Sequence, residues 1–113
     1  MKMNIIEEFE KIYPETAKEF KKIQQEQYEI FCAKQLNYGP TNISMGTKLE
    51  TDDEVKLSLM GLWFRKNDKI QRLKQLVVLN KKDLVGEDIN ETYMDLSVYG
   101  IISQLVNKKI WGK

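Results

Sequence analysis

Apolar side chains recur every three or four residues in four stretches of the chain, and nowhere do they alternate with polar ones as a half-buried strand would require. The first stretch, 4–12, places Ile5, Phe9 and Ile12 on one helical face, and Pro14 ends it and opens the next helix. The second, 15–36, carries Phe20, Ile23, Ile30 and Phe31 on its apolar face, with Gln27 and Lys34 projecting from that same face. Residues 37–53 contain Gly39, Pro40 and Gly46 and follow no period. They read as a long loop, the kind that is often functional or mobile. The third helix is expected over 53–79, with Val55, Leu59, Leu62, Trp63, Ile70, Leu73 and Val77 along one side; a turn at 80–86 leads to the last helix, 89–109. The pattern predicts an all-α fold: one domain over residues 1–113, a compact bundle of three long helices plus a short N-terminal helix.

The last helix breaks the rule that surface helices keep charge away from the apolar stripe. At about 100° per residue, Asp95 points toward Val98, Tyr99, Ile102 and Val106, and Glu91 projects from the same stripe one turn earlier. Carboxylates that face inward need a cation, a metal ion or a ligand, because an unpaired buried charge costs several kcal/mol. Asp88 followed by Glu91 also fits a capping box, which would make Glu91 structural, and a buried salt bridge would satisfy Asp95. Carboxylates four apart are candidate Mg²⁺ ligands, which makes Glu91 and Asp95 the metal candidates of the chain.

Composition narrows the chemistry. The chain has 113 residues, 42% of them hydrophobic and 31% charged, which is ordinary for one folded domain. Eighteen basic against 17 acidic residues give a net charge of +1, without the basic excess of a protein that coats nucleic acid. There is no histidine, so Ser-His-Asp and Cys-His catalysis and His-ligated zinc are excluded within the chain. One cysteine, Cys32, makes no internal disulfide, which fits a reducing compartment. Acids interrupt the N-terminus where a signal peptide needs an apolar run, and no stretch has the length of a membrane span. A cytoplasmic protein with no membrane partner is expected.

Two cationic groups complement the acids. Arg65, Asp68, Lys69 and Arg72 lie on or beside one stripe of the third helix. They read either as a surface ladder with an Asp68–Arg72 pair, or as a wall for phosphate in which a guanidinium clasps oxygens bidentately. Lys34, Asn37 and Tyr38 precede the helix terminator Gly39 and offer a cation and a ring for stacking, or simply close the turn. Glu26 and Glu29 are spaced as Glu-x-x-Glu, but Glu29 faces opposite to the apolar stripe. Trp63 or Trp111, on an exposed patch, would supply the interface of a homo-oligomer. The basic tail of Lys108, Lys109 and Lys113 around Trp111 reads as a helix end or as a nucleic-acid contact.

The order of these pieces resembles a known family. Lys34-Gln-Leu-Asn37-Tyr38-Gly39, then Arg65-Lys-Asn-Asp68-Lys69-Ile-Gln-Arg72-Leu73, then Glu91-Thr-Tyr-Met-Asp95-Leu-Ser-Val-Tyr99 is similar to the pattern of the phage and bacterial nucleotide modification associated domain, type 1. Asn37 stands where that family usually has Asp, and Glu91 where it often has Asp. The motifs also distantly resemble the MazG-type all-α nucleotide pyrophosphohydrolases, which hold Mg²⁺ with a Glu-x-x-Asp where this chain has Glu91-x-x-x-Asp95. The resemblance implies a nucleotide ligand, with Lys34, Asn37, Tyr38, Arg65, Asp68, Lys69, Arg72 and Tyr99 as the residues that meet it and Mg²⁺ as the cofactor. Either metal-assisted attack of water on a phosphoanhydride or simple retention of a nucleotide signal is compatible with this inventory. A plain interaction protein would instead have all the motif charges paired among themselves.

Overall fold

The computed structural model describes residues 2–113, with side chains from Asn4 onward, and these are helical with no strand. Helix α1 spans Lys2–Ile12, α2 Pro14–Tyr38, α3 Thr41–Ser44, α4 Asp52–Leu73 and α5 Ile89–Asn107; α4 loosens into a π-helical turn, Lys74–Val78. The three long helices and the short first one stand where the periodicity puts them, and α3 is an addition. Contacts within the chain divide into two compact units, Met1–Lys34 and Gln35–Lys113, with α2 running through the division. No described helix is long and apolar enough to cross a membrane.

In the first unit Pro14 occupies the first turn of α2, where its missing N–H costs nothing and its fixed φ suits the helix. Lys21 reaches back to Glu10 at 2.8 Å, and the rings of Phe9 and Tyr13 lie 5.2 Å apart. Ala17 is the one buried hydrophobic side chain in this unit among the described residues.

The second unit is built on α4 and α5. Four cross-links order them: Asp52 to Lys109, Lys66 to Ser103, Lys69 to Asp95, and Arg72 to Thr92. Because the partner number falls as the α4 number rises, the helices run antiparallel. On α5 the facing positions are Thr92, Asp95, Tyr99, Ile102 and Val106. On α4 they include Val55, Ser58, Leu62, Lys69 and Arg72, so both follow the alternating three-and-four spacing of a coiled-coil seam. Leu62, Ile102, Val106 and Thr92 are fully buried or nearly so.

Residues 37–53 are not the mobile loop that their lack of period suggests. Gly39, at φ +72°, ends α2, and α3 then turns Ile43 and Ser44 into the core. The buried Ser58 hydroxyl donates to the Ile43 carbonyl at 2.6 Å, and the Trp111 indole N–H donates to the Pro40 carbonyl at 3.0 Å. Leu49 holds a left-handed φ of 53°, a costly conformation for a residue with a Cβ, and its side chain is buried, which offsets that cost. Trp111 is therefore a core anchor and not the exposed interface residue expected; Trp63 is exposed.

A capping box forms at the start of α4; the alternative box of Asp88 with Glu91 does not form. Thr51 Oγ1 accepts from the Glu54 N–H at 3.2 Å, while the Glu54 carboxylate accepts from the Thr51 and Glu50 N–H groups at 3.1 and 3.0 Å. At α5, Asp88 caps alone by accepting from the Asn90 N–H at 2.9 Å.

Those backbone donors, Thr51 first and Glu50 second, hold the Glu54 carboxyl below its ordinary value of 4.5. A depressed folded value means that the stabilisation is fully present above 4.5 and is lost as pH falls through the lower, folded value. Glu54→Gln is therefore expected to melt at a lower temperature than the wild type near neutrality, with the gap closing in acid. A gap that stays constant in melts across the acid range would contradict this origin.

Candidate functional site

The α4–α5 seam changes character along its length. Near Leu62 it is apolar; beyond Arg65 the seam positions are filled by cations that the spacing carries inward. Each then meets an oxygen supplied by α5 or by a connecting segment. Lys66 Nζ donates to Ser103 Oγ at 2.6 Å, and that hydroxyl donates to the Tyr99 carbonyl at 2.7 Å. Lys69 Nζ lies 3.0 Å from the Asp95 carboxylate, with the two side chains 26% and 20% exposed. The hydrogen bond to Asp95 raises the Lys69 pKa above its ordinary value, with Glu87 and the Tyr99 phenol adding to the effect and burial opposing it.

Arg72 is the most connected of these. Its guanidinium donates to Thr92 Oγ1 and to the Glu87 carbonyl, both at 2.9 Å, which fixes the plane of the fork and satisfies a fully buried hydroxyl. Its charge is met less closely, by Asp83 at 3.4 Å and Glu87 at 3.7 Å. Both acids belong to the segment between the π-helical turn and α5. That segment bends at Gly86, φ +78°, and Asp83 accepts from the Val85 N–H at 3.0 Å. Asp83 and Glu87 also line an open cleft of about 490 Å³ together with Leu76, Lys81, Asp88 and Ile89.

The sequence-derived candidates thus separate. Lys69, Arg72, Asp95 and Tyr99 are half-buried residues of the seam. Arg65 is half-buried and donates to the Asn42 carbonyl at 2.9 Å, so it ties α4 to the α3 segment. Asp68 is exposed and forms no ion pair with Arg72, because that guanidinium is already turned toward Thr92 and the connector. Asn37 and Tyr38 are exposed at the end of α2, and Lys34, also exposed, belongs to the other unit.

Asp95 faces inward as the wheel predicts, but Glu91 does not: it is exposed. Glu91 lies in the first turn of α5, where side chains tilt toward the N-terminus and past the end of the helix. Thr92 takes the inward place one residue later. The motif charges do not all pair among themselves, as a plain interaction protein would require. Lys69 and Asp95 do, Arg72 pairs with acids outside the motifs, and Asp68 and Glu91 face solvent.

Reading the sequence missed Lys66, Ser103, Thr92, Asp83 and Glu87. Thr92 and Ser103 carried a signal, since both lie on the inward stripe of α5; Asp83 and Glu87 carried none, because a connector has no period to place them. No protein-family model, curated protein or solved structure matches the chain.

The Lys69–Asp95 pair is less than a third exposed, between the surface pairs worth about 0–1 kcal/mol and the buried ones whose disruption costs about 3–5 kcal/mol. Asp95→Asn is expected to destabilise the protein by about 1–2 kcal/mol, read as a lower urea midpoint at unchanged slope. An unchanged midpoint would show that the pair contributes nothing.

Proposed function

We propose that the ionic half of the α4–α5 seam binds the phosphates of a nucleotide, and that Arg72 is the residue that grips them. One observation carries this reading. The Arg72 fork is held at 2.9 Å by two neutral acceptors, whereas its two carboxylates stand 3.4 and 3.7 Å away, beyond the roughly 2.7–2.9 Å of a good charge-assisted bond. The guanidinium is oriented in advance, and its charge is only loosely neutralised. A phosphate that displaced the Asp83 and Glu87 carboxylates, which line the cleft, would reach Arg72 and take the shorter distances itself. Lys81, in the same cleft, adds a second cation, and Lys69 a third within the seam. Asn37 and Tyr38, in the same unit, are the candidates for meeting the sugar or base, with Tyr99. The resemblance to nucleotide-linked families points the same way.

Retention fits these residues better than hydrolysis. Among the described residues no three Cys, Asp or Glu side chains are grouped to hold a metal. Glu91 is exposed and Asp95 is neutralised by Lys69, so the two acids expected to bind Mg²⁺ do not fit a resident ion; Asp95 acts here by orienting Lys69. Mg²⁺ would arrive on the nucleotide, with phosphate oxygens and waters as most of its ligands. We read the protein as a nucleotide-binding helical module that keeps its ligand intact, with metal-dependent pyrophosphohydrolysis as the competing outcome of the test below.

The test is calorimetric titration with nucleoside triphosphates and cyclic nucleotides at low salt, with and without Mg²⁺, alongside a pyrophosphate-release assay. Arg72→Lys keeps the charge but loses the fork and is expected to weaken binding about tenfold, while Asp83→Asn removes a competitor and tightens it several-fold. Silence across the panel, or indifference to Asp83→Asn, would overturn the reading. Metal-dependent turnover would transfer it to the enzyme.

A further inference from the structure

The first unit exposes more apolar surface than two helices can sustain alone. Among its described residues nine large hydrophobic side chains are at least 41% exposed, against one buried alanine. Ile5 is 67% exposed, Ile12 59%, Phe20 62%, Ile23 44% and Ile30 41%. Isolated helices of 11 and 25 residues draw most of their stability from packing an apolar face, and little here is packed. At roughly 100 Å² apiece the nine side chains present on the order of 900 Å² over both helices, of the size that one partner contributes to an interface of standard size, and Ile23 and Ile30 share one face of α2.

We infer that this face is covered by a second copy of the chain, with the two α2 helices antiparallel about a two-fold axis. The charges select this occupant. On the α2 wheel Ile23, Ile30 and Lys34 fall within about 40° of one another, and Glu19 and Glu26 line one edge of the same face. Lys34 makes no ion pair and neither does Glu19. An antiparallel register that sets Ile23 of one copy on Ile30 of the other brings Glu19 level with Lys34, because the position numbers of residues at one height have a constant sum. The match then occurs twice, as a two-fold interface requires. A parallel pair would instead bring Lys34 level with Lys34 and Glu19 level with Glu19, like charges at one height. Gln27, between the two isoleucine contacts, falls near the axis, where a polar residue in an apolar seam fixes register. The interface expected from Trp63 and Trp111 is thereby placed on α2 instead. It is independent of the nucleotide reading.

Sedimentation velocity and light scattering on the full chain test this, with circular dichroism to confirm helicity. The wild type is expected to be dimeric at tens of micromolar. Ile23→Glu, at a site already exposed, and Lys34→Glu are each expected to weaken the dimer about tenfold or more. The double exchange Glu19→Lys with Lys34→Glu is expected to restore it, since each facing pair is then simply inverted. A monomeric wild type, or a dimer indifferent to Ile23→Glu, would overturn the interface. A dimer broken by Lys34→Glu and not restored by the double exchange would overturn the antiparallel register.

Discussion

The second unit depends on one constraint: α4 and α5 meet antiparallel along positions spaced alternately by three and four, so whatever side chain occupies such a position is carried into the seam. Where the residues are Val55, Leu62, Ile102 and Val106, the outcome is a small apolar core. Where they are Lys69, Arg72, Thr92 and Asp95, the same geometry forces polar groups together, and each finds a partner because none can remain unpaired at that depth. The core and the candidate site are thus the two ends of a single packing arrangement.

In the proposed reading, Arg72 is the seam residue that a ligand would meet. Its short bonds go to a hydroxyl and a carbonyl, neither of which neutralises it, while the acids that do so belong to the irregular connector between the π-helical turn and α5. The helix beneath relaxes into a π-helical turn two residues later, and π turns recur at functional positions. Orientation is therefore supplied by Thr92 of α5 together with the Glu87 backbone, and charge by the Asp83 and Glu87 side chains. In the proposed reading a ligand anion would compete with those side chains.

The first unit presents the complementary situation. Its helices are well formed in themselves, with a proline start and an amphipathic face, yet that face meets almost nothing within the unit. Hydrophobic surface of this extent is more than a monomeric protein ordinarily leaves open. Lys34, read from the sequence among the phosphate-binding cations, belongs to this unit and is exposed.

Periodicity alone determined the all-α fold and the positions of its long helices, because a 3.6-residue repeat of Ile, Leu and Phe has one low-energy arrangement. It also placed Asp95 inward, since mid-helix direction follows from angle. It failed at Glu91, whose inward place in the first turn of α5 is taken by Thr92, and in 37–53, where aperiodic residues are pinned by Ser58, Trp111 and a buried Leu49. The pairing of Lys69 with Asp95 and of Arg72 with Asp83 and Glu87 was decided only by tertiary structure. A helix wheel gives the direction in which a charge points, but the oxygen waiting there comes from a segment 11 to 26 residues away, and its position depends on how the chain returns.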